Sequence, residues 1–174
     1  KKQEHIISEI LYITSNALSS QSIYPLSNFY LNLAKYLNED FHFYNALLAE
    51  NFYKIKNFDK AKKIYYKLSR KGEALKWYAS KQLARIYVLE KDRNKALELL
   101  NNSYNSLIYK NIYEIFDYAE FLKNNEKFKE SILYYSKIIE AVDESHPLYA
   151  EATDGRGVSF ERIGEWDKAE KDLL

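Results

Sequence analysis

The stretch LAENFYKIKNFDKAKKIY, residues 48–65, decides the fold. Its small residues Ala49 and Ala61 stand twelve apart, and the same pair recurs as Ala84 with Ala96. Ala119 with Ser131 and Gly157 with Ala169 continue the series, and Ser15 with Ser27 is a fainter first copy. The second small residues fall at 27, 61, 96, 131 and 169, at spacings of 34, 35, 35 and 38. A period in this range is the mark of a helical repeat array. Small side chains recur where two antiparallel helices cross closely, because a larger one would hold the backbones apart.

The large residues keep the same register. Three positions after the first small residue come Leu18, Phe52, Tyr87, Leu122 and Phe160. Four positions after the second come Leu31, Tyr65, Leu100, Tyr135 and Leu173. These offsets lay one apolar stripe on each helix. The spacing predicts first helices over about 5–20, 41–55, 74–90, 110–124 and 147–163. It predicts second helices over about 25–38, 58–70, 93–104, 128–142 and from 166 to the end. Helices this short are marginal alone, so stability has to come from stacking. Lys56-Asn57, Lys91-Asp92, Asn125-Glu126 and Ile163-Gly164 fall at the turns inside the pairs. Gly72 and His146-Pro147 fall between pairs, and the residues around 143–147 account for the 38-residue spacing by lengthening a loop or a helix. Phe52, Phe58, Tyr65, Tyr87, Phe128, Tyr135, Phe160 and Trp166 read as stacking residues of the core.

This pattern resembles the tetratricopeptide repeat family, whose consensus places Leu-Gly-x-x-Tyr in the first helix and Ala-x-x-x-Tyr in the second. The resemblance implies an all-α, right-handed superhelical solenoid of about five antiparallel helix pairs over residues 1–174, as a single domain. The repeats run about 8–41, 42–76, 77–111, 112–149 and 150–174, the last truncated. Residues 155–173 are similar to a repeat of large, poorly characterised tetratricopeptide proteins of alphaproteobacteria, in which further repeats follow and some members are exported. A bacterial fragment of the cytoplasm or periplasm is the corresponding expectation. The proline that often closes each repeat is missing, with Glu39, Glu73, Ile108 and Asp143 in its place.

Family geometry implies that certain first-helix positions line a concave face. Here these are Tyr12 and Asn16; Phe43, Glu50, Tyr53 and Lys54; Tyr78, Lys81 and Arg85; Tyr113, Phe116 and Glu120; and Asp154 and Glu161. Exposed tyrosine beside arginine is the usual chemistry of a protein-binding hot spot. The expected role is a protein–protein interaction scaffold that holds a partner peptide or domain, carrying acidic residues between apolar or aromatic ones. The alternative is a structural spacer in a larger protein whose activity lies outside these residues. Some tetratricopeptide domains clamp an acidic chaperone tail with a Lys/Asn/Lys/Arg set. Only Asn16 fits that set here, with Tyr12, Leu47, Tyr78 and Gln82 at the other places, so no such clamp is expected. The chain stops at Leu173-Leu174 without a polar capping helix, which implies self-association through that end.

Other chemistry finds little footing. The chain has no cysteine, so disulfides, thiolate metal sites and cysteine nucleophiles are excluded. His5, His42 and His146 are scattered, and no metal site or cofactor is expected. Gly155-x-Gly157 lacks the third glycine of a dinucleotide loop, since Phe160 stands there. No nucleophile motif is present, and no enzyme is expected. No apolar run is long enough for a membrane span. Formal net charge is only +1, but Lys54 to Arg85 carries a net +9 and Asp143 to the end a net −5. Lys60, Lys62, Lys63, Lys67, Arg70 and Lys71 fall on a second helix and read as a solvated outer face, which argues against nucleic acid.

Overall fold

A computed structural model describes residues 3–174, and every regular element among them is an α-helix. The ten helices are α1 (Gln3–Ser20), α2 (Tyr24–Leu37), α3 (Phe43–Lys54), α4 (Phe58–Leu68), α5 (Glu73–Leu89), α6 (Arg93–Asn105), α7 (Ile112–Asn124), α8 (Phe128–Ala141), α9 (Pro147–Arg162) and α10 (Trp166–Leu173). Each boundary lies within a few residues of its expected place. The repeat of 38 residues owes its length to helix, not loop: α8 has 14 residues and α9 has 16. Packing divides the chain into two compact units, one running to Asp92 and the other over Arg93–Leu174.

Repeat periodicity reappears in the turns as a conserved geometry. Ser22, Lys56, Lys91, Glu126 and Gly164 all have positive φ, between 59° and 81°. The next N–H in each case reaches back to the large apolar residue of the first-helix stripe. Ile23 donates to Leu18 at 2.9 Å, Asn57 to Phe52 at 2.8 Å, Asp92 to Tyr87 at 2.8 Å, Lys127 to Leu122 at 2.9 Å and Glu165 to Phe160 at 3.0 Å. A left-handed residue followed by this back-bond is the Schellman closure of a helix. Only Gly164 adopts it without a Cβ penalty. The other four turns hold a side chain in a left-handed backbone because the packed helices on either side require it.

In the first unit α1 packs on α2 and α3 on α4, with α2–α3 and α4–α5 contacts joining the pairs. Ser15, Ser27, Ala49, Ala61 and Ala84 are all fully buried, as helix crossings demand. Leu31, Ala34, Tyr44 and Leu48 form one core cluster. A polar layer runs through this apolar packing. Asn51, with no exposed surface, donates to Ser27 Oγ and Asn28 Oδ1 at 2.8 Å each and accepts from Ser19 Oγ at 2.6 Å. Tyr44 donates to Ser8 Oγ at 2.9 Å, also in the interior. Away from this core, α1 exposes Ile6, Ile10 and Ile13, and α2 exposes Phe29, Leu33 and Tyr36.

In the second unit α7, α8, α9 and α10 pack in succession, and Ala119, Tyr135, Ile138, Leu148 and Ala152 of the first three form a core cluster. A Cβ on Gly155 would lie 2.5 Å from the Tyr135 ring, so only glycine lets α9 approach. Gly157 is a close crossing too: a Cβ there would lie 2.8 Å from Leu173. Arg156 grips Asp172 with two hydrogen bonds of 2.7 and 2.8 Å and ties α9 to α10. One core expectation fails: Trp166 is 66% exposed. Phe128, at the equivalent place on α8, is half-buried and lines a pocket with Val158 and Arg162 of α9, whereas no described helix packs on α10 from beyond it.

Tyr104 and Tyr118 stack at 4.2 Å with rings 10° from parallel, and Tyr134 meets both edge-on. Burial pushes the phenols of Tyr104 and Tyr118 up to about 12, with the neighbouring Tyr134 adding to it. An unfolded tyrosine ionises near pH 10. Between pH 10 and 12 the unfolded chain therefore sheds protons that the folded chain keeps. The stabilisation is complete below pH 10 and is lost as pH rises toward 12. Urea midpoints should fall across this window, and Tyr104→Phe should make the fall shallower. A midpoint independent of pH from 9 to 11.5 would contradict this.

Candidate functional site

In the first unit three first helices, α1, α3 and α5, line one open groove of about 450 Å³. Tyr12 comes from α1; Phe43, Ala46, Leu47 and Glu50 from α3; Ala74, Leu75 and Tyr78 from α5. The helical period explains the selection, because 43, 46, 47 and 50 share one face of α3 and 74, 75 and 78 one face of α5. Apolar carbon dominates this lining, with the Glu50 carboxylate as its one charge. Glu50 accepts from the Tyr65 hydroxyl at 3.3 Å and lies 3.7 Å from Lys54 Nζ. Tyr78 meets the Tyr65 ring edge-on at 6.1 Å. Burial raises the Tyr78 phenol pKa, with Glu50 the next cause, so Tyr78 remains a neutral hydroxyl donor.

The cations expected beside the groove are held by aromatic rings. The Arg85 guanidinium sits 4.5 Å from the Tyr53 ring centroid, which joins α5 to α3. Lys81 Nζ lies 5.6 Å from the Trp77 ring centroid. Lys54 is half-exposed and shares its charge with Glu50. Of the expected face residues in this unit, Tyr12, Phe43, Glu50 and Tyr78 line the groove. Tyr53 and Arg85 pair with each other, Lys54 joins the set through Glu50, and Lys81 lies against Trp77.

The three expected residues of α7 belong to the second unit and are engaged differently. Phe116 packs on the core cluster and meets the Tyr135 ring at 6.1 Å. Glu120 accepts from the Tyr135 hydroxyl and pairs with Lys123 at 2.6 Å. Tyr113 is exposed, with its ring 6.3 Å from His146.

Two glutamates thus follow one rule. Tyr65 bonds Glu50 and Tyr135 bonds Glu120, each fifteen positions apart. Both glutamates directly follow the first small residue, and both tyrosines stand four after the second. Where that second-helix position is leucine (Leu31, Leu100, Leu173), the first-helix partner is Asn16, Arg85 or Val158. The pairing was present in the sequence as this covariation between repeats. Ala46, Ala74 and Leu75, which share the apolar floor with Leu47, were not singled out from sequence, since apolar residues on a repeat helix are first taken as core.

One outer-face expectation is corrected. Lys62 donates to both oxygens of Glu90, at 2.7 and 2.9 Å, and lies 3.5 Å from Asp59. Its ammonium is also 5.6 Å from the Tyr87 ring centroid. The hydrogen bond to Glu90 raises its pKa against the opposing effect of burial. It is a tie between α4 and the end of α5, not a solvated charge.

No family model matches the sequence, and no curated protein matches it. Solved structures do. YrrB, described as a TPR protein with an unusual peptide-binding site, is 19% identical with a TM-score of 0.59, over 94% of this chain and 81% of that one. A putative kinesin light chain of Podosopora anserina with nearly identical TPR-like repeats is 11% identical with a TM-score of 0.71, over 99% of this chain and 94% of that one. At these identities the likeness concerns the fold: the chain is an all-α solenoid built from tetratricopeptide-type hairpins.

Proposed function

We propose that this chain is a protein-interaction scaffold of the tetratricopeptide family, and that the groove on α1, α3 and α5 holds a segment of its partner. The observation that carries the reading is the groove itself. It is an open apolar trough bordered by Tyr12 and Tyr78, with a single carboxylate inside and Lys54 paired to it. Tyrosine offers large rigid area with few rotamers to freeze, which suits a binding hot spot. The peptide-binding site of YrrB, a protein of the same fold, is in keeping with it. Arg85, Lys54 and Lys81 favour acidic residues in the partner on either side of the apolar ones that enter the trough. Aromatic burial would supply most of the affinity and the charges mainly orientation and on-rate. This chemistry supports a binding role.

Peptides selected on the immobilised chain from a random library test the reading by titration calorimetry. Tyr78→Ala should weaken binding by about 2 kcal/mol. Arg85→Glu should weaken it and reverse its salt dependence. Lys63→Glu, on the outer face, should leave it within twofold. Loss of binding in Lys63→Glu with the groove variants unaffected would place the partner elsewhere.

A second contact is proposed at the C-terminal hairpin. Trp166, Leu173 and Leu174 are exposed together on α10 and beyond it, and support packing against a second copy. Sedimentation should show association at high concentration that Trp166→Glu with Leu174→Glu reduces. If Ile10→Glu with Ile13→Glu abolishes association and the C-terminal pair does not, the contact lies on α1 instead.

A further inference from the structure

We propose that a second concavity of the first unit, bounded by Lys35, Lys67 and Lys71, is a binding site for a phosphate group. It stands apart from the groove. The pocket lies where the last turn of α2, the first turn of α3 and the end of α4 come together, and has a volume of about 250 Å³. His42 and Asn45 complete its polar wall, and the buried Leu68 lies at its base.

Charge balance argues for an anion. Three ammonium groups border the pocket against one carboxylate, Glu39. None of the three forms an ion pair among the described residues. Lys62, five residues before Lys67 on α4, is by contrast tied to Glu90. Helix ends account for part of this charge and not the rest. Lys35 and Lys67 sit in the last turns of α2 and α4, where each helix pole presents roughly half a negative charge. The pole of α3 has the opposite sign and about the same size, and His42 makes no side-chain capping bond to it. The balance stays positive after every pole is counted.

Size and geometry narrow the ligand. Pockets for drug-sized molecules run roughly from 300 to 1,000 Å³, and this smaller one has room for a single phosphoryl group with its first carrier atoms. Lysine is a flexible point charge that meets phosphate oxygens from several directions, and three converging on one volume give that arrangement. Asn45 supplies an amide donor of shorter reach, and the His42 ring lies beside it.

The test is an NMR titration of the ¹⁵N-labelled chain with inorganic phosphate, at constant ionic strength made up with chloride. Saturable shifts are expected at residues 35–45 and 67–71. Lys67→Gln with Lys71→Gln should weaken phosphate at least tenfold. Lys60→Gln with Lys63→Gln removes the same charge from the same helix outside the pocket and should change it less than twofold. Tyr78→Ala should leave it unchanged, which separates this site from the groove. Shifts that never saturate, or equal weakening by both lysine pairs, would reduce the effect to general counterion binding and overturn the proposal. A phosphoserine peptide that binds more tightly than free phosphoserine assigns the group to a protein partner. Equal binding of the two assigns it to a small phosphorylated molecule.

Discussion

An Asn51→Ala chain should lose about 3 kcal/mol of folding stability. Asn51 is fully buried between the first two hairpins and satisfies four requirements at once. It fills its volume, accepts the Ser19 hydroxyl, and donates to Ser27 and to Asn28. Alanine would leave a cavity with polar walls. The Ser19 hydroxyl would lose its acceptor, and each unsatisfied buried group costs about 1–3 kcal/mol. Because the bonds cross from α3 to α1 and α2, the loss should appear first as faster hydrogen exchange in those three helices. Urea unfolding followed by circular dichroism checks the magnitude. A variant within 0.5 kcal/mol of the parent chain would mean that the polar layer is replaceable by water and does not set the stacking.

Ala61→Leu should cost about 3 kcal/mol, at the top of the range for overpacking. Ala61 and Ala49 have no exposed surface on the packed pair α3–α4. Leucine adds three carbons where interior packing density leaves no void of that size. The backbones must then separate, which also strains the turn closed by Asn57 on Phe52. Melting at the parent temperature would show that the small-residue register of the second repeat had been misplaced.

These two residues mark the limits of what could be read without coordinates. Ala61 was legible because its chemistry repeats: a small side chain recurs at 27, 61, 96, 131 and 169, and all five are buried. Asn51 was not, because it occurs once. Its counterparts one period away are Ala17 and Ile86, so nothing in the periodicity sets it apart. The turns were legible in place but not in geometry, since Ser22, Lys56, Lys91 and Glu126 are poor advertisements for a left-handed backbone. Trp166 was misread for a related reason. A stacking position is buried only when a helix covers it, and no described helix lies over α10.

For the site, the register placed Glu50 and Tyr78 on adjacent first helices, and both line one groove, but it did not show what they do for each other. Charge was the poorest guide. Of the lysines grouped as one solvated face, Lys62 holds two helices together, and Lys67 and Lys71 border a pocket. Sequence gives the helix of a charge readily, whereas its partner is fixed by tertiary packing. Phe116 and Glu120 show the same thing on α7, where the expected face residues are engaged with Tyr135.

A partner segment held by this chain should lie in the groove of α1, α3 and α5. Photo-crosslinking addresses it most directly: a library-selected peptide carrying benzophenone at its central apolar position is irradiated with the chain, and the adducts are mapped by mass spectrometry. The account predicts adducts at Leu47, Leu75 and Tyr78, suppressed by excess unlabelled peptide and weakened in Tyr78→Ala. Adducts confined to the outer surfaces of α2 and α4, competed away equally well, would contradict it.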